Sequence, residues 1–246
     1  MIYLAAILSL GIPYFLGKFL RNILSFSIQF FQTSVTDYES FFSNHYLIQK
    51  IAIALTFILL VDFFNYWQHY LMHKNDWLWQ IHKIHHSAES FNVFTALREH
   101  PLETAFNYIP LSICIGLFGY PIQDILFNNF FVACLILYQS IGFIKHSNIN
   151  SSWSWFGKYI IQSPLHHRAN HATKVEYYDS NFGSNFQVWD HIFKTYKEPI
   201  SKEINLRTEL GIEEEPNSPV LNSNSSFLST LIYPYLSWKN MLKTKL

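Results

Sequence analysis

Eight histidines fall into spacings that suit a metal site. His69 and His73 stand four apart in Tyr66-Trp67-Gln68-His69-Tyr70-Leu71-Met72-His73, and His82, His85 and His86 read H-x-x-H-H. His146 follows a long apolar run, and His167 and His171 are again four apart, after Ser163-Pro164. Neutral imidazole is the commonest metal ligand among side chains. Spacings of three and four put such side chains on one face of a helix. A structural zinc normally takes four ligands, so eight ligands suit two adjacent ions. All-nitrogen donors favour zinc, copper, iron or nickel over magnesium or calcium.

The elements that must carry these histidines are helical. Each group follows or lies within an apolar or helix-compatible stretch, and a helical bundle collects such ligands from facing helices. Nearly uncharged runs cover residues 1–17, about 47–66, 104–120 and 122–144. Each approaches the roughly 17–25 residues that a membrane-crossing helix needs. Gly119-Tyr120-Pro121 between the last two suits a tight helical hairpin. The expected fold is therefore all-α: a bundle of about four transmembrane spans, with a cytosolic helical cap that carries the histidines. Segments 67–103 and 145–246 hold fourteen of the seventeen Lys and Arg residues, which places the metal site on the cytoplasmic side. The first run has no basic start or small-residue cleavage site and reads as an anchor.

Composition agrees with a membrane protein. Half of the residues are hydrophobic, 18% are aromatic and only 14% are charged, against roughly 25% charged in average soluble domains. The formal net charge is zero, so nothing points to nucleic acid. Cys114 and Cys134 lie in apolar stretches and read as small buried hydrophobes. Two domains are expected: residues 1–200, embedded in the membrane and holding the metal site, and a polar tail over 201–246 with an interfacial helix near its end.

The motifs taken in order resemble the fatty acid hydroxylase/sterol desaturase superfamily. The strings are Asp62 to His73, Leu78 to Ser87, Arg98-Glu99-His100-Pro101-Leu102-Glu103 and His146-Ser147-Asn148-Ile149. They continue with Ser163 to His171, Asn181-Phe182-Gly183 and Trp189-Asp190-His191-Ile192-Phe193. The likeness covers about residues 50–200. It implies two histidine-held irons, molecular oxygen as oxidant, and a lipid substrate reaching the metals from the bilayer. The product would be an alcohol or an alkene, from a sterol, fatty acyl chain, carotenoid or ether lipid. Three positions depart from the family pattern: Asn170 stands where a histidine is usual, Gly142 where some relatives have one, and His191 where Arg is common.

Around the eight, further residues invite a role. Asn170 could bind a metal through its oxygen or a water. His100 reads as a ligand, a residue hydrogen-bonding to a ligand, or a loop residue, with the second expected. Asp62, near the end of an apolar run, is expected to orient His69. His166 is adjacent to a ligand and should point elsewhere. The chain shows no strand-borne G-x-G-x-x-G, no C-x-x-C-H and no iron–sulfur cysteine set. Its electrons are expected from a separate reductase or small electron-transfer protein. The competing readings are a metal-storing or catalytically inert membrane protein that binds lipid.

Overall fold

The computed structural model describes residues 13–16, 18–19, 47–118, 129–200, 202–212 and 225–244. Their helices, in order, are α1 (Leu47–Lys74), α2 (Asp76–His86), α3 (Pro101–Asn107), α4 (Ile109–Phe118) and α5 (Asn129–Lys145). Then follow α6 (Ser154–Tyr159), α7 (Pro164–Asn170), α8 (Val188–Phe193) and α9 (Phe227–Thr244). Short 3-10 turns cover Val93–Leu97 and Val175–Tyr177. Among the described residues there is no strand, only the isolated bridges Ile161–Phe186 and Ala172–Leu210. The all-α expectation holds.

The expected count of four spans is not confirmed. Among the described residues, no helix is long and apolar enough to cross a membrane. The run 104–120 is interrupted: α3 stops at Asn107, Tyr108 is a turn, and α4 begins at Ile109. Pro110 explains the break, because it has no N–H to continue the ladder and its ring crowds the carbonyl of Phe106, four residues earlier. Most of the first run and the expected Gly119–Pro121 hairpin lie outside the described residues.

The chain divides into two compact units, residues 1–64 with 105–138, and residues 65–104 with 139–246. In the first, Phe57, Val61 and Cys114 are buried, and Asp62 accepts a hydrogen bond of 2.7 Å from the Tyr138 hydroxyl. All eight motif histidines belong to the second. There α7 turns Leu165 and Ala169, four apart, into an apolar cluster with Ala172, Tyr177 and Ile204. His167 and His171, also four apart, then occupy a different face of that turn. Helix α9 packs on α2, with Ile84 and Tyr233 buried together beside Ile212.

Candidate metal centre

Four segments bring the histidines together. The last turns of α1 carry His69 and His73, and α2 follows after one residue. Asn75 makes that corner: its side-chain oxygen accepts from the N–H groups of Trp77 and Leu78, capping α2. Asp76 in the first turn and Lys83 in the last agree with the helix dipole. Ser163 caps α7 by accepting from the N–H of His166, and Pro164 opens its first turn. His146 follows directly on α5.

The eight histidines form two groups of four, His69, His73, His82 and His86, and His85, His146, His167 and His171, with candidate ligand atoms within 4.8 Å of one another in each group. Nε2 atoms face each other at 3.2 Å (His73 and His69) and 3.1 Å (His86 and His82) in the first group. In the second they do so at 3.1 Å (His146 and His85) and 2.8 Å (His167 and His146). The groups adjoin, since the rings of His86 and His171 stack with centroids 4.0 Å apart.

The tautomers follow from the outer hydrogen bonds. Nδ1 of His69 donates to the Phe182 carbonyl (2.9 Å), Nδ1 of His82 to Glu103 (2.6 Å), and Nδ1 of His146 to the Gly142 carbonyl (2.6 Å). Each of these rings therefore turns a bare Nε2 lone pair inward. Converging lone pairs repel unless a cation lies among them. Two nitrogens, each about 2.1 Å from one ion and at right angles, would be about 3.0 Å apart, close to the separations seen. Burial, ahead of repulsion from Lys145 and from neighbouring histidines, pushes the members of both groups well below the usual histidine range and His82 down to about 3. They stay neutral, as metal ligation requires. His171 is buried with neither ring nitrogen hydrogen-bonded, a cost that a bound cation would remove. The donor set fits metal ions.

Three further candidates lie close by. His100 accepts from the Leu102 N–H and donates to the Leu231 carbonyl, so both ring nitrogens are used. It ties the start of α3 to α9. His69 is oriented by the Phe182 carbonyl, the part the sequence suggested for Asp62, which instead takes the Tyr138 hydroxyl. Asn170 is buried, donates to the Ser180 carbonyl at 2.8 Å, and leaves its Oδ1 without a partner. His166 points away from the site, as expected, toward Ser163 and Tyr196.

The sequence reading passed over two carboxylates. Glu103, buried, backs His82; it lies in the same string as His100, which drew attention by residue type alone. Asp190 accepts from the N–H groups of Phe182 and Gly183 (2.7 Å each), from the Gln187 amide (2.9 Å) and from the Thr195 hydroxyl (2.6 Å). It fixes the loop whose carbonyl holds His69. A Cβ at position 183 would lie 2.8 Å from Asp190 Oδ2 and 2.7 Å from the Phe186 carbonyl oxygen, so the loop needs glycine there. The signal available in sequence was the closeness of Asn181-Phe182-Gly183 to Trp189-Asp190 within one short segment.

Residues 54–195 match the fatty acid hydroxylase family. The chain belongs to this family. Among curated relatives, it is 31% identical to an alkylglycerol monooxygenase of Xenopus tropicalis over 147 residues, covering 58% of this chain and 30% of that protein. It is 27% identical to an ornithine lipid hydroxylase of Rhizobium tropici, covering 58% of this chain and 41% of that one. A human lathosterol oxidase is 24% identical over 64% of this chain and 49% of its own length. The chain thus spans between about a third and a half of these relatives. No solved structure matches. All eight histidines, and both carboxylates behind them, fall inside the family match. Helix α9 lies beyond it.

Proposed function

We propose that this protein is an oxygen-dependent lipid hydroxylase with two irons, one held by each histidine group. The observation that carries the reading is the division of eight buried or part-buried histidines into two complete sets of four. Both sets are full without Asn170, which weakens the case for an inert relative. Two of the relatives' names, monooxygenase and hydroxylase, favour oxygen insertion, while oxidase is equally compatible with desaturation.

When bound, the irons would supply oxygen activation for attack on an unactivated C–H bond. The chain's own residues do the rest. The Phe182 and Gly142 carbonyls and Glu103 hold three imidazoles in the tautomer that presents Nε2. Trp79, with its ring 5.2 Å from those of His73 and His86, and Phe91, 4.9 Å from that of His171, wall the groups with apolar surface. Such walls exclude water from a reactive centre. One oxygen atom enters the lipid, the other leaves as water, and a separate reductase or small electron-transfer protein supplies the electrons.

A membrane location with the site on the cytoplasmic side belongs to the same proposal. Ile51, Leu55 and Leu59, four apart along α1, are exposed, as are Ile136 and Leu137 on α5. Exposed apolar stripes of this kind suit contact with lipid. Purified protein given iron, a chemical reductant, oxygen and a membrane lipid extract should yield a product heavier by one oxygen atom. His85→Ala and His171→Ala should abolish it. Metal binding without any lipid product would instead support the storage or inert readings.

A further inference from the structure

The two histidine groups differ in what stands behind their imidazoles. In the first, Glu103 accepts directly from His82 Nδ1 at 2.6 Å. A second carboxylate acts through one peptide group: the 182–183 peptide accepts from His69 Nδ1 on its carbonyl and donates its Gly183 N–H to Asp190. Hydrogen bonds in such a chain polarise one another. A third, Asp179, lies 3.8 Å from His73 Nδ1, but it is exposed and paired with the Lys74 ammonium at 2.6 Å. In the second group, His146 Nδ1 has only the neutral Gly142 carbonyl, and the Nδ1 atoms of His167 and His171 are buried without a partner. The ring of Phe91 lies against His146 and His171, with the Arg168 guanidinium 4.9 Å over that ring.

These differences have one direction. A carboxylate behind a ligand imidazole raises its basicity and fixes its aim. Glu103 and Asp190 are both almost inaccessible to solvent, and burial raises both carboxyls, so a cation bound beside them would be favoured by, and would favour, their charged forms with little screening. An unpaired buried Nδ1–H gains neither effect. We propose that the two metal positions are inequivalent: His69, His73, His82 and His86 form the tight, carboxylate-backed position, and His85, His146, His167 and His171 the weaker, exchangeable one. This rests on the two-metal reading above.

The test is titration of metal-free full-length protein with Co(II), followed by calorimetry and visible absorption. Two steps are expected, their affinities at least about tenfold apart, the usual worth of outer hydrogen-bond partners. His167→Ala should retain only the tight step and His82→Ala only the weak one. Glu103→Gln should weaken the tight step by about 10–100-fold and leave the weak step in place. Two ions bound with equal affinity would overturn the inference while leaving the two-metal reading intact. So would a tight step that survives His82→Ala but not His167→Ala, a result that does not depend on Glu103→Gln folding. Failure to bind Co(II) at all would overturn both.

Discussion

Asn170 lies on α7 between His167 and His171, and each histidine group has four members without it. Its amide holds the Ser180 carbonyl. Asn170→Ala should therefore cost about 1 kcal/mol of stability, the net worth of one hydrogen bond, and leave metal stoichiometry unchanged by elemental analysis. Loss of one metal per chain would instead make Asn170 a ligand. Asp190 supports a second prediction. Burial raises its carboxyl from 3.8 to about 6, against the pull of Thr195, Gly183 and Phe182. Between those values the folded chain keeps a proton that the unfolded chain has lost. The stability so contributed is complete below about 3.8 and lost as pH rises through 6, at about 1.4 kcal/mol per pH unit. Asp190→Asn cannot titrate, so wild type should lose thermal midpoint relative to it from pH 4 to pH 7; parallel curves would refute this. At this scale the histidines were legible, because residue type and spacing both mark them. Their partition was not. At about 100° per residue, His86 lies about 40° to one side of His82 and His85 about 60° to the other, so H-x-x-H-H splits between two sites. Glu103 was hidden for another reason: it meets His82 from 21 residues away, by a path that spacing does not encode.

Helix α2 supplies three of the eight histidines and serves both groups, so whatever holds α2 governs the whole centre. Much of that hold comes from α9. The Trp238 indole N–H donates to the Trp77 carbonyl at 2.9 Å, and the Lys83 ammonium lies 5.9 Å from the centre of the Tyr233 ring. The His100 side chain donates to the Leu231 carbonyl, three residues before Pro234. A proline inside a helix disturbs the bonding of the preceding turn, and His100 supplies a donor there. This explains why a histidine in a metal-like string serves a helix instead. Tyr233→Ala, at a buried position, should cost about 3 kcal/mol and reduce metal retention at both groups. Tyr233→Phe should do neither, since it keeps the ring buried beside Ile84. The test is thermal melting with metal analysis of both variants; unchanged retention in Tyr233→Ala would detach α9 from the centre. The sequence suggested an interfacial helix near the C-terminus, and it is helical. Its docking on α2 was not legible, because tyrosine and tryptophan read alike as interface anchors and as packing residues.

In the whole molecule, the histidines tie together segments that are far apart in sequence, from His69 on α1 to His171 at the end of α7. Without metal, the second unit must bury eight imidazoles whose inward nitrogens repel and several of whose outer nitrogens lack partners. Buried polar atoms left unpaired cost about 1–3 kcal/mol each, so the metal-free centre opposes folding. Metal reverses the sign. An ion that binds only the folded chain stabilises it by about 4 kcal/mol at a thousandfold excess over its Kd, and two ions would act together. The described residues of the first unit, residues 1–64 with 105–138, contribute no ligand and should feel this least. Removing metal with a chelator should therefore lower the thermal midpoint sharply and raise amide hydrogen exchange over 65–104 and 139–200, with much less change over 105–118. Restoring Fe(II) or Co(II) should reverse both effects. A chelated protein that melts and exchanges like the untreated one would mean that the histidine centre is held by packing alone.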